Sequence, residues 1–185
     1  MLVVGLFCYN SKMINREQLD EIIMKNDTYD WWQPGLFLKN TKHLLPPELE
    51  ILVDSPEESK NYNCFIYAFG LHNDTTILKE TNGFIYDSFA KKLIEAGELV
   101  RTEEPIGGDY VVYQDLENYP DSLTHIGVLS GDKVFSKWAW GPLIKHDVWD
   151  VPKEYGGTVF YLKAIPEERT VKLYERYKSF NTKPE

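Results

Sequence analysis

The sequence is short of the features that mark several large classes of protein. It has two cysteines in 185 residues, too few for the disulfide framework of a small secreted domain. No run approaches the roughly 18 apolar residues that a membrane-spanning helix needs. The stretch at 2–8 is too short, and lacks the basic flank, for a signal peptide. We therefore expect a soluble, cytoplasmic protein in which Cys8 and Cys64 are reduced.

Basic charge is also scarce. The formal net charge is −9, and no dense run of Lys and Arg is present. Nucleic acids and anionic membranes are bound through clustered basic residues, so neither is an expected partner. There is no glycine-rich phosphate loop, and Cys64 has no second cysteine at zinc-finger spacing, so we expect neither a metal nor a cofactor.

What the sequence does have is enough apolar residues for one globular domain: 43% are hydrophobic and 14% aromatic. Helical patterns come first and short β-branched runs afterwards, which predicts an α+β fold with helices packed on one side of a small antiparallel sheet. Helices are predicted from Asn15 to about Lys25, from Cys64 to Gly70, at 83–96 with Gly97 as C-cap, and at 166–180. Strands are predicted at 108–113, 124–129, 133–136 and 158–162, with a hairpin turn at 130–133.

The chain is accordingly divided into three parts within one globular unit. Residues 1–58 form a helical and irregular lead-in packed on the core, 59–164 form the core, and 165–185 form a C-terminal helix and tail.

Cys64 is the first candidate functional residue. It follows Asn63, which can cap the short apolar helix that begins there. Backbone N–H groups and the dipole at a helix start favour the thiolate, which is the nucleophilic form of cysteine. The alternative is structural, because free cysteine is often a small buried hydrophobe.

His125, in a β-branched strand, is the candidate base for this thiol. A histidine in such a strand can also be a hydrogen-bonded core residue. His43 and His72 have no chemical context in the sequence, and we expect both to be at the surface or partly buried.

The order of these motifs resembles a known superfamily. The motifs are Asn63-Cys64 with Ala68–Gly70, Thr124-His125, Ser136-Lys137-Trp138 with Gly141, His146, and Tyr155-Gly156. Over about 59–164 the chain resembles the papain-like thiol hydrolases of the NlpC/P60 and CHAP type, and most closely an uncharacterised bacterial domain family beside them.

The resemblance implies a papain-like core and a catalytic arrangement. Cys64 would attack an amide to form a thioester, with His125 as base. A third group would orient the imidazole from the next strand, where this chain has Ser136; His146, beyond that strand in a predicted loop, is the other candidate. Tyr62, together with the backbone at Asn63-Cys64, would support an oxyanion.

Substrate contacts are expected from residues after the hairpin. Trp138 and Trp140, with Trp149 after them, would wall a groove, although dense aromatics are often core. Lys137 would pair with a substrate carboxylate or with Asp109, although a lone Lys is often a solvated side chain. A peptide, amide or glycopeptide is the expected substrate. The resemblance suggests bacterial peptidoglycan, and intracellular deamidation or isopeptide cleavage is an equally open alternative.

Two hypotheses follow. The first is a cysteine hydrolase that uses Cys64 and His125, and the second is a catalytically inactive papain-like module that binds a partner. A hydrolase requires the Cys64 sulfur within about 4 Å of a His125 ring nitrogen and open to solvent, whereas a buried sulfur favours the module.

Overall fold

The computed structural model of the chain describes residues 14–23, 41–53, 62–138 and 141–183. This part of the chain holds five α-helices and a sheet of seven strands. The helices are α1 (Arg16–Ile23), α2 (Cys64–Ala68), α3 (Thr75–Thr81), α4 (Asp87–Glu95) and α5 (Glu167–Tyr177). The strands are β1 (Glu50–Val53), β2 (Arg101–Thr102), β3 (Tyr110–Gln114), β4 (Leu123–Ser130), β5 (Lys133–Lys137), β6 (Leu143–His146) and β7 (Thr158–Leu162).

The sheet is antiparallel throughout, in the order β1-β6-β5-β4-β3-β7-β2. The predicted α+β class and antiparallel sheet are therefore confirmed. Strands β4 and β5 form the predicted hairpin, with Ser130 opposite Lys133 and Gly131 in the turn at φ 65°. Positive φ is the conformation in which glycine lacks the steric cost of a Cβ atom.

Both faces of the sheet are buried, each by a different set of elements. We call the side covered by α2, α3, α4 and α5 the helical face. Its core includes Cys64, Phe65, Ile77, Phe89, Leu93, Val112, Ile126, Leu162 and Tyr174. We call the other side the opposite face, and its core includes Leu19, Ile22, Ile23, Val111, Tyr113, Val134, Trp138, Ile144, Val151 and Tyr155.

The expectation that all helices pack on one side was wrong for α1. Its apolar residues Leu19, Ile22 and Ile23 join the core of the opposite face. A sheet whose central strands carry apolar side chains on both faces needs cover on both faces, because each exposed face would leave apolar surface in water.

Helix starts follow the capping chemistry of the sequence. The Asn15 side chain accepts hydrogen bonds from the N–H groups of Glu17 and Gln18 at 3.0 and 3.3 Å, as expected for a capped start to α1. The helix reaches Ile23 at the end of its described segment, and Lys25 lies outside the described residues.

The predicted helix at 83–96 is shorter than expected and is preceded by one that was missed. Helix α3 is capped by Asp74, whose side chain accepts from the N–H groups of Thr76 and Ile77, so the signal was present in the sequence. Asn82 and Gly83 then adopt positive φ angles of 50° and 73°. This left-handed pair ends α3 and delays the next helix, α4, to Asp87.

Strands β3, β4, β5 and β7 lie where the sequence predicted them, within about two residues. Strands β1, β2 and β6 were missed; each is four residues or fewer and lacks a long alternating pattern. His146 is thus at the end of β6 rather than in a loop, because Leu143–His146 pairs with Lys137–Val134 of β5.

None of the described helices is both long and apolar enough to cross a membrane.

Candidate functional site

Cys64 occupies the first position of α2, as the sequence predicted. The Asn63 side chain accepts a hydrogen bond from Ile66 N–H at 3.2 Å and so caps the helix. Its Nδ2 donates to the Ile85 carbonyl at 2.7 Å. Both ends of the Asn63 amide are therefore used inside the protein, which fits a structural cap better than an oxyanion donor.

The Cys64 thiol is buried rather than open to solvent, with 8% of the residue exposed. Burial raises the pKa of the thiol to about 11, because a thiolate is poorly solvated in the core. The backbone N–H groups of Ile126 and Phe65 and the Lys137 amine act in the other direction, but more weakly. At neutral pH Cys64 is a protonated thiol.

His125 lies on the opposite face of the sheet from Cys64. Its ring stacks on Tyr155 with centroids 4.0 Å apart and an interplanar angle of 10°, and it packs 5.5 Å from the Tyr113 ring. Both tyrosines belong to the core of the opposite face, whereas the next residue, Ile126, belongs to the same core as Cys64. Successive side chains of a strand point to opposite faces, so the sheet separates the thiol from the imidazole.

The expected dyad is therefore not assembled, and His125 is not positioned to act as base for Cys64. The histidine is 1% exposed, and its Nε2 atom has no hydrogen-bond partner among the described residues. Burial, with a smaller contribution from the nearby His146, holds the pKa of His125 well below its usual range. His125 is thus a neutral core residue.

The two candidates for a third group, Ser136 and His146, contact each other beside His125. Ser136 Oγ and His146 Nε2 are 2.8 Å apart, and His146 Nδ1 is 2.7 Å from the Asp147 carbonyl oxygen. A carbonyl only accepts, so Nδ1 carries the proton and Nε2 accepts from the Ser136 hydroxyl. Trp138 Nε1–H donates to the same Ser136 oxygen at 3.1 Å. Trp138, Ser136 and His146 thus form a chain of hydrogen bonds in which all three side chains are neutral.

Trp138 does not wall a groove. It is 0% exposed and lies in the core of the opposite face. The strand alternation that places Ser136 and Trp138 on that face, and Lys137 on the other, makes the indole a core residue. Trp140, a second predicted groove residue, lies outside the described residues. Trp149 is 44% exposed, and the Arg16 guanidinium lies over its ring, 5.5 Å from the ring centroid.

Lys137 is buried on the helical face, which contradicts the expectation of a solvated or substrate-facing side chain. It is 1% exposed, its amine donates to the Gly141 carbonyl at 2.6 Å, and Nζ lies 4.6 Å from the Tyr62 ring centroid. Burial lowers the pKa of Lys137 to about 7, and its neighbour Cys64 opposes that shift. The amine is the titratable neighbour that the structure gives Cys64 in place of His125.

His72 is partly buried, as the sequence predicted, but its contacts beside Tyr62 and Lys137 were not predicted. Its ring stacks on both Tyr62 and Tyr67, with centroid separations of 5.3 and 5.6 Å. Gly70, at φ 69°, turns the chain back after α2 and so brings His72 beside these rings. A glycine directly after a short helix was the available signal. Tyr62, for which an oxyanion role was expected, contacts the His72 ring and the Lys137 amine instead.

A concave surface lies on the side of the sheet that α1 covers. It is an open cavity of about 720 Å³. Its lining residues come from α1, from the loop after β3 and from the segment before β7, and include Arg16, Asp20, Asp115, Leu116, Glu117, Tyr119, Lys153, Glu154 and Gly157. None of the predicted catalytic residues lines it.

Within the described segments, no group of three or more His, Cys, Asp and Glu side chains is arranged to hold a metal ion. Comparison with protein-family models, curated proteins and solved structures found no match to this chain. The resemblance to papain-like thiol hydrolases therefore stays a prediction.

Proposed function

We propose that this chain is a papain-like module that binds a partner and does not hydrolyse amides through Cys64. A helix that begins at a cysteine and packs across the central strands of an antiparallel sheet supports the papain-like assignment. One observation supports the absence of Cys64-dependent hydrolysis: His125 lies on the other side of the sheet from the buried, protonated thiol of Cys64.

The cavity beside α1 is the surface that best fits a partner. Its two cations are already engaged within the protein: Arg16 donates to the carbonyls of Val151, Pro152 and Gly156, and Lys153 pairs with Glu17 at 2.8 Å. Glu117 and Glu154 are exposed at the cavity. With Leu116 and Tyr119 exposed beside them, this surface favours a peptide that carries basic and apolar side chains.

A second candidate is a thiol hydrolase in which Lys137 replaces His125 as the base for Cys64. One observation favours it: the Lys137 amine, with its lowered pKa, and the N–H groups of Phe65 and Ile126 are the groups that act on the sulfur in favour of its anion. Against this candidate, Cys64 and Lys137 are both buried, so a substrate has little access to the thiol.

One experiment separates these readings: the pH dependence of Cys64 alkylation by iodoacetamide, measured in a Cys8→Ser background so that one thiol reports. We expect the folded protein to react about a hundredfold more slowly than a free thiol at pH 8, because a pKa near 11 leaves little thiolate. The same protein unfolded in urea, which exposes Cys64, serves as the positive control.

Two variants identify the base if the thiol proves reactive. His125→Phe keeps an aromatic ring on Tyr155, and Lys137→Met keeps an unbranched chain in place of the lysine. Fast alkylation with an apparent pKa below about 8.5 that rises in His125→Phe would restore the hydrolase of the first hypothesis. The same result in Lys137→Met would establish the second candidate, and slow alkylation in all three proteins supports the binding module.

A further inference from the structure

The ring of His125 lies beneath a segment that holds α1 on the sheet. That segment is the short 3-10 turn Lys153–Tyr155, which lies between Pro152 and Gly156. Tyr155 stacks on the imidazole, and the neighbouring Thr124 hydroxyl donates to the Tyr155 carbonyl at 2.5 Å. The turn is thus seated directly on the part of β4 that carries His125.

Helix α1 is fastened to the same segment by two polar side chains. The Arg16 guanidinium donates three hydrogen bonds, at 2.6–3.0 Å, to carbonyls at both ends of the turn. One turn further along α1, the Asp20 carboxylate accepts from Glu154 N–H at 3.1 Å. Movement of the turn away from His125 would remove the partners that hold α1 in place.

We propose that α1 and the Lys153–Tyr155 turn form a latch that is released by acid, with the buried His125 ring beneath Tyr155 as its sensor. The latch uses neither Cys64 nor Lys137, so the proposal is independent of whether the chain has hydrolase activity.

The surroundings of His125 are built for a neutral ring. Tyr113 of β3 and Tyr155 of the turn cover it with aromatic surface, and in the part of the chain that the structure describes no acceptor lies within hydrogen-bond distance of Nε2. Within the described residues, the titratable group that acts on its charge is His146 of β6, whose lowered pKa of about 4 keeps it neutral above pH 5 so that it supplies no counter-charge, and no carboxylate does so. Arg16 and Asp20 of α1 face the turn rather than the imidazole.

Protonation of His125 therefore favours the open state of the latch, in which the Lys153–Tyr155 turn has moved away from the imidazole. An imidazolium in the closed state would be an unpaired charge between aromatic rings, whereas in the open state water can solvate it. If opening is coupled to the uptake of one proton, the opening equilibrium shifts about tenfold per pH unit below the ordinary histidine pKa of about 6.5.

Hydrogen exchange followed by mass spectrometry tests this. Protection factors, which correct for the intrinsic effect of pH on exchange, are measured between pH 7.5 and 5.0 for peptides covering 14–23 and 151–157, and for α4 as reference. In wild type we expect the first two peptides to lose protection about tenfold per pH unit below pH 6.5, while they stay less protected than α4. In His125→Phe we expect the protection factors of these two peptides to change by less than about twofold per pH unit over the same range.

The matched control is His43→Gln, which removes an exposed histidine and should leave the wild-type slope unchanged. An unchanged slope in His125→Phe overturns the proposal, as do equal protection factors in α1, the turn and α4 at every pH, because these would mean that the three segments open only together. If His125→Phe does not fold, histidine NMR on wild type decides: His125 should gain its proton in step with the opening of the two peptides. A His125 that titrates while they stay protected overturns the latch.

Discussion

The two faces of the sheet bury polar groups in different ways. On the helical face, Cys64 and Lys137 are buried, and burial favours the neutral form of each: it raises the pKa of the thiol to about 11 and lowers the pKa of the amine to about 7. On the opposite face, the chain from Trp138 through Ser136 to His146 satisfies its donors and acceptors with neutral groups alone. Residues adjacent in sequence, such as Ser136 and Lys137, therefore lie in separate environments with separate chemistry.

The largest expected effect comes from removing the indole that begins the neutral chain. Trp138→Ala should lower the free energy of unfolding by about 4 kcal/mol, because it leaves a cavity in the core of the opposite face. Urea unfolding measures this. Trp149→Ala, at an exposed tryptophan, is the control and should cost about 1 kcal/mol or less. Equal small losses in the two variants would contradict the buried position of Trp138.

The second-largest expected effect is a loss of stability at low pH that depends on His146 of the opposite face. Burial lowers the pKa of His146 to about 4, whereas the unfolded chain takes up the proton near pH 6.5. The stabilisation that the neutral His146 ring gives the folded protein is therefore fully present above about pH 6.5. It falls as the pH drops toward 4, by about 3 kcal/mol in total.

The measurement is the free energy of unfolding at several pH values in wild type and His146→Gln. We expect the fall between pH 6.5 and 4 to be smaller by about 3 kcal/mol in the variant. His43→Gln, with its exposed histidine, should behave like wild type. If wild type and His146→Gln fall in parallel, the buried neutral state of His146 is wrong.

The smallest effect concerns the cavity beside α1. Replacing Glu117 and Glu154 together by Gln should weaken binding of a basic, Leu- and Tyr-containing peptide by a few fold, since exposed charge pairs contribute less than about 1 kcal/mol each. Fluorescence anisotropy at low salt measures this, with an acidic peptide of equal length and the double variant Glu103→Gln, Glu104→Gln as controls. Equal affinity for both peptides would rule out charge-selective binding at this surface.

Much of the local structure could be predicted from the sequence. Asn15 and Asn63 cap α1 and α2, because their side chains are bonded to N–H groups two or three residues away and need no tertiary partner. The α+β class and four of the seven strands followed from hydrophobic periodicity. The short strands β1, β2 and β6 did not, since they are defined by their neighbours in the sheet more than by their own pattern.

Which side chains meet at the candidate site depended on a bulge in β4 that the sequence pattern did not reveal. Strand β4 has a bulge, because its register with β3 shifts between Tyr113 and Gln114. Leu123 and Ile126, three residues apart, consequently lie in the same core. Counted by twos from Leu123, His125 would share the face of Cys64; the extra residue reverses this and turns the imidazole to the opposite face.

From the sequence alone we could predict the capped helix that begins at Cys64 and the strands that contain His125 and Ser136, but not the strand that ends at His146. That the thiol faces Lys137 and the imidazole faces Tyr155 was set by the tertiary structure. The physical reason is that the side-chain period of a strand is two residues, so one bulge, set by pairing across the sheet, exchanges the faces. The chemistry of each side chain was fixed by its type, and its partners were fixed by that register.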